Sequence, residues 1–189
     1  MDIEFIKKNA SAFGTCRENF HWYFCEGTLL IEGSGELDYI EDFSYFYDPS
    51  PMDFGRRKKP VIHPWKDRIP DVKHVAIGEG CTKLGLGCFE WHQSLESIQL
   101  PESLLCIGMD AFCGCIRLRS VVIPGQVREI EEGAFAGCLN LASVQLPEEI
   151  KIIGKYAFQH CLELKELAVP GGVESVGTGA FPRKLGDTK

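Results

Sequence analysis

A period of 23 residues governs most of this chain. Set in lines of 23 from Val72, Leu95, Leu118, Leu141 and Leu164, the sequence aligns without a gap. Phe89, Phe112, Phe135, Phe158 and Phe181 fall in one column, and Pro101, Pro124, Pro147 and Pro170 in another. Cys115, Cys138 and Cys161 share a third. A fixed interval of this size marks a repeat architecture, in which one unit cannot bury its apolar side alone and stacks on its neighbours to do so.

The third unit shows the expected logic. Leu118, Val121 and Ile123 point inward along a strand, and Pro124, which lacks an N–H, stops the ladder. Val127 and Ile130 form a second apolar pair. A turn follows, with Gly85, Gly108, Gly154 and Gly177 in the equivalent places, where glycine supplies left-handed backbone angles at little cost. Glu131 breaks that column, so a left-handed angle is not compulsory there. Ala134 and Phe135 then read as a short helical turn plugging the core. The period predicts a mainly β fold, a right-handed solenoid of five rungs with short helical turns. Burying each Leu, Ile or Phe between rungs contributes roughly 1.5–3 kcal/mol.

The first 71 residues lack the period. Asp2 to Lys8 reads as a short helix or an unstructured lead-in. Phe20, Trp22 and Phe24 alternate with His21 and Tyr23, the period-2 pattern of a half-buried strand. Thr28 to Glu32 is a second strand, with Glu26 and Gly27 as the tight turn of a hairpin. Gly33 and Gly35 mark a bulge or turn, and the aromatic run through Tyr39, Phe43, Tyr45, Phe46 and Tyr47 folds against the hairpin. Pro49, Pro51, Pro60, Pro64 and Pro70 define a loop that carries the one basic run, Arg56, Arg57, Lys58 and Lys59. Trp65 is placed to dock on the first rung. The expected division is an N-terminal β-hairpin capping module over 1–71 and a repeat solenoid over 72–189.

Charge and composition narrow the function. A formal net charge of −7 argues against binding driven by nucleic-acid phosphates, and the basic run reads as a solvated loop. No apolar run approaches the ~20 residues of a membrane span. The N-terminus lacks the charged-then-apolar order of a secretory signal, which places the chain as written in the cytoplasm. Nine cysteines are an odd number, and those in a repeat column read as small buried hydrophobes whose thiols stay protonated and inert. Stacked rungs ~4.8 Å apart leave a disulfide between them possible on distance alone.

The pattern LxxIxIPxxVxxIGxxAFxxCxx over residues 72–181 resembles the BspA-like leucine-rich repeat family of bacterial proteins. The stretch from Trp22 through Gly27, Leu29, Leu30, Ile31, Gly33 and Gly35 to Leu37, with Pro64 and Trp65, is similar to the module that often precedes such repeats. The resemblance implies secretion or surface display, binding of host proteins or other cells, and no shared catalytic residues.

Recognisable chemistry is sparse. Cys16, His21 and Cys25, with His63 as a distant fourth ligand, lack the paired spacing of a zinc site. Cys113 and Cys115 form CxC, not the redox CxxC. His21, His63, His74, His92 and His160 are tied to no cysteine by a nucleophile motif, and His92 merely stands in the cysteine column. No catalytic residue, metal or cofactor is expected. The outward positions of the main strands remain: His74 and Ala76, Ser97 and Gln99, Ser120 and Val122, Ser143 and Gln145, Glu166 and Ala168. This small, nearly uncharged strip is the expected binding face, for a protein partner or a surface glycan, in a monomer. Leu105, Cys106 and Ile152 are apolar residues at a second set of outward columns. The alternative readings are a metal or thiol enzyme built on the N-terminal Cys and His residues, or a structural spacer.

Overall fold

The structure, a computed structural model of the 189-residue chain, describes residues 2–16, 19–37, 65 and 71–182. The helix α1 (Ile3–Lys8) is followed by β1 (Ala12–Cys16), β2 (Phe20–Cys25), β3 (Thr28–Gly33) and β4 (Gly35–Leu37). The repeats contribute β5 (His74–Ile77) and β6 (Cys81–Leu84), then β7 (Ser97–Gln99) and β8 (Cys106–Ile107). They continue with β9 (Ser120–Val122), β10 (Glu129–Ile130), β11 (Ser143–Gln145), β12 (Ile152–Ile153) and β13 (Ser175–Val176). The protein is mainly β. The aromatic run after Leu37, the basic run 56–59 and the tail beyond Pro182 fall outside the described residues.

Strands from successive repeats pair in parallel and in step with the period. Ser143 sits opposite Ser120 and Val144 opposite Val121, while Val75 pairs with Ile98. One sheet runs β1-β2-β3-β5-β7, with β9 and β11 as a further parallel pair, and a second runs β4-β6-β8-β10-β12-β13. The prolines end the main strands as expected: β7, β9 and β11 stop two residues before Pro101, Pro124 and Pro147. Each proline carbonyl then accepts a turn bond, as Pro124 does from the Val127 N–H at 3.1 Å. The last unit departs from the expected plan, since residues 164–169 form no strand.

The hairpin does more than cover an end. Cys25 pairs with Thr28 across Glu26 and Gly27, whose φ values of 48° and 81° make the turn. The type I′ geometry fits the twist of the flanking strands. β3 then pairs in parallel with β5, Leu29 opposite Val75, and β4 pairs with β6, Leu37 opposite Leu84. Ten residues thus supply both strands of a rung before the repeats begin. β1 was not legible in the sequence. Its Gly14 lies under the Trp22 indole, where a Cβ would come within 2.8 Å of the ring. Asp2 caps α1 by accepting from the Phe5 N–H at 3.0 Å.

The core is a column of rings. Phe89, Phe112, Phe135 and Phe158 are fully buried, with centroids 5.4, 5.1 and 5.3 Å apart and nearly parallel planes. Phe181 continues the column at 6.4 Å, and Trp65 closes the other end at 6.0 Å from Phe89, as expected. Backbone bonds tie the same turns together. The N–H groups of Phe89, Phe112, Phe135 and Phe158 donate to the carbonyls of Ala111, Ala134, Ala157 and Ala180 at 2.7 to 2.8 Å.

The left-handed positions differ from those expected. Gly85, Gly108, Gly154 and Gly177 are not among the residues with positive φ. Gly108, Gly154 and Gly177 are glycine because the preceding turn lies too close: a Cβ at Gly154 would fall 2.5 Å from the Glu131 carbonyl carbon. The left-handed column lies two residues on, at Gly87, Asp110, Gly133, Tyr156 and Gly179, with φ between 52° and 67°. A second comprises Trp91, Gly114, Gly137 and His160. This backbone turns the N–H toward the next repeat, so Asp110 donates to Glu132 and Trp91 to Cys113, at 3.0 and 2.7 Å. For residues as bulky as Tyr156 and Trp91 the conformation is costly, and the inter-repeat bonds offset it.

Candidate functional site

Two outward faces are available, one across the neighbouring strands β7, β9 and β11 and one on the six-stranded sheet. On the first, Ser97, Gln99, Ser120, Ser143 and Gln145 are all exposed, and Val122 is 61% exposed at its centre. Parallel register places Ser120 beside Ser143 and Val122 beside Gln145. Inward neighbours Val121 and Val144 are buried, so the period-2 alternation holds.

The ends of the strip differ from the expected picture. Ala76 is buried, because α1 lies across this face: Ile6 packs into a satellite cluster with Cys25, Leu30 and Ala76. Lys7 fastens the helix by an ion pair to Glu32 at 2.8 Å. His74 is half-buried at the helix-proximal margin, its Nδ1 2.8 Å from Ser97 Oγ. Glu166 and Ala168 are exposed but belong to the strandless last segment. The open face therefore starts at Ser97 and ends at Gln145.

On the second sheet, Lys83, Cys106, Glu129 and Ile152 share one outward column, since Lys83 pairs with Cys106 and Glu129 with both Cys106 and Ile152. Leu105 and Ile152 are 45% and 38% exposed, so these apolar residues do face out. Glu131, the residue that breaks the glycine column, reaches back across this face. Its Oε1 accepts from Lys83 Nζ at 2.6 Å and from Cys106 Sγ at 3.4 Å, and its Oε2 from the Met109 N–H at 2.8 Å. Burial raises the pKa of Glu131, but the Lys83 and Met109 bonds outweigh it and hold the carboxyl below its usual range. The Glu131 bond raises Lys83. Burial, then the Glu131 charge, pushes the Cys106 thiol up to about 12.

All nine cysteines are thiols. Cys106 and Cys113 are half-buried and the other seven buried. The repeat-column cysteines are more than small hydrophobes. Cys115, Cys138 and Cys161 donate to the carbonyls of Phe89, Phe112 and Phe135 at 3.1 to 3.2 Å, each bond reaching the preceding repeat. The Cys161 thiol and burial raise Cys138, and burial lifts Cys81 to about 11, so these sulfurs stay protonated at neutral pH. His92 in the same column packs edge-on against Phe89 at 5.8 Å. Cys16 lies in the main core and Cys25 under α1, on opposite faces of the sheet, so they do not converge on one ion. His63 lies outside the described residues.

A family model, the BspA type leucine rich repeat region, matches residues 69–185 in six copies. The chain belongs to this family. The BspA-type repeats thus extend over the parallel strands, the phenylalanine column and both outward faces. Among solved structures, the chain is similar to a leucine rich cell surface protein from Faecalibacterium prausnitzii A2-165, with 19% identity over 92% of this chain and 52% of that one, at a TM-score of 0.42. A leucine-rich repeat protein from Bacteroides ovatus ATCC 8483 gives 21% identity over 87% and 49%, at 0.48. The T. pallidum leucine-rich repeat protein gives 20% identity over 80% and 91%, at 0.34. The chain spans about half the length of the first two. No curated protein matches the sequence. Among the described residues, no helix is long and apolar enough to cross a membrane.

Proposed function

We propose that the BspA-type repeats wind as a right-handed solenoid of five 23-residue rungs, and that the parallel-strand face across β7, β9 and β11 is the working surface of a non-catalytic binding module. The N-terminal segment 1–71 acts as its capping module and 72–189 as the binding body. The observation that carries this reading is the run of exposed, uncharged side chains Ser97, Gln99, Ser120, Val122, Ser143 and Gln145 on adjoining strands. Hydroxyls and carboxamides at fixed intervals suit hydrogen bonding to a protein or a surface glycan, and extended repeat faces serve such contacts. His74 contributes at the margin through Ser97, and Glu166 at the opposite end.

The test is a set of charge substitutions, Ser97→Glu, Ser120→Glu and Ser143→Glu, assayed against arrayed glycans and extracellular host proteins. Loss of a wild-type interaction in all three variants, with circular dichroism and melting temperature unchanged, supports the reading. Retained binding in all three excludes the strip as the contact surface.

A further inference from the structure

The outward face of the second sheet carries a combination that the remaining repeats lack. Cys106 and Glu129 come from neighbouring strands, and Glu131 stands where the other four repeats have glycine. A thiol sulfur and two carboxylate oxygens, one from each residue, all lie within 4.8 Å of one another on half-buried side chains. A cationic group is already placed there, since Lys83 Nζ sits 2.6 Å from Glu131 Oε1.

We propose that Cys106, Glu129 and Glu131 form a site for a zinc-class divalent cation, with Lys83 holding the cation's place in the metal-free protein. The donor set selects the metal class. One sulfur with two carboxylate oxygens suits a borderline ion such as zinc, whereas calcium and magnesium take oxygen ligands alone. Bond lengths of about 2.0–2.3 Å set tetrahedral ligands roughly 3.5 Å apart, so closing the site needs about 1 Å of contraction. The two glutamates reach the site at the ends of flexible side chains, Glu129 from within β10 and Glu131 from just after it. Three protein ligands leave one coordination position for water or for a group from a partner. On binding, Cys106 coordinates as a thiolate and releases its proton to solvent, and the Lys83 ammonium swings out to water. The metal then ties the second and third repeats through side chains as well as through the ladder.

Cobalt(II) is the probe, because a cysteine thiolate bound to it gives a charge-transfer absorption in the near ultraviolet. Metal-stripped, reduced full-length protein is expected to develop this band at one equivalent of cobalt and to lose it when zinc is added. Cys106→Ser is expected to abolish the band while Cys113→Ser, the other half-buried thiol, retains it. Glu129→Gln and Glu131→Gln are expected to weaken binding by tenfold or more. Lys83→Met, which removes the competing cation, is expected to tighten it. No band in wild type, a band that survives Cys106→Ser, or weaker binding in Lys83→Met overturns the proposal.

Discussion

Phe135 and Glu131 stand four residues apart in one repeat and follow opposite rules. Phe135 copies its column, stacks between Phe112 and Phe158, and is interchangeable with them in environment. Glu131 breaks its column and makes contacts that no other repeat can reproduce. The interior is thus built by repetition, and the outer face of the second sheet by exception. Stability resides mainly in the first and individuality in the second.

The largest test of that contrast is Phe135→Ala. Removing a ring with neighbours on both sides is expected to cost about 3–5 kcal/mol in chemical denaturation. A loss below 1 kcal/mol would show that the column is dispensable. Gly154→Ala comes next, at about 1–3 kcal/mol from overpacking, because its methyl would press on the Glu131 backbone. Cys138→Ala is expected to cost about 0.5–1.5 kcal/mol, because the Phe112 carbonyl loses its thiol donor and keeps the Cys115 N–H. A neutral result there would return the cysteine to a space-filling role.

Glu131→Gln gives the smallest effect, about 0.5–1 kcal/mol, because the Lys83 pair is partly open to solvent. Its pH dependence is the sharper readout. The carboxyl is depressed in the fold, so its stabilisation is present above the ordinary carboxylate value of about 4.3 and fades as pH falls through the folded value. The Lys83 pKa is raised, so its share persists up to about 10.4 and is lost as pH rises through the folded value. Wild type and Glu131→Gln should therefore differ between these limits and converge outside them. Melting curves that stay equally separated at pH 3 and pH 7 would contradict the assignment.

The interior was legible because identical environments select identical residues. The columns of Leu118, Val121, Ile123, Phe135 and Cys138 could be read directly, and so could the alternation that exposes Ser120 and Val122. The turn was misread for a physical reason. Glycine answers both to left-handed backbone and to close approach, and the sequence does not separate the two. The mixed column Gly87, Asp110, Gly133, Tyr156 and Gly179 carries the first requirement less visibly than Gly108, Gly154 and Gly177 carry the second. α1 on the first sheet was hidden because Ala76 reads as outward whether solvent or Ile6 covers it. The Lys83–Glu131 contact was hidden because it joins residues 48 apart, two repeats and two residues. The irregularity of Glu131 was visible from the start, but its partners were not.

The ladder that joins one turn to the next has a consequence for how such a gene can change. Phe112 bonds Ala134 as Phe135 bonds Ala157, at nearly the same length. Excising or duplicating one whole 23-residue unit would leave every such bond with an equivalent partner, whereas losing a single residue would misalign all that follows. The ion pair between Lys83 and Glu131 obeys no such exchange, because it skips a unit. It counts the repeats between its ends, and an array shortened or lengthened there would keep its shape and lose this one bond.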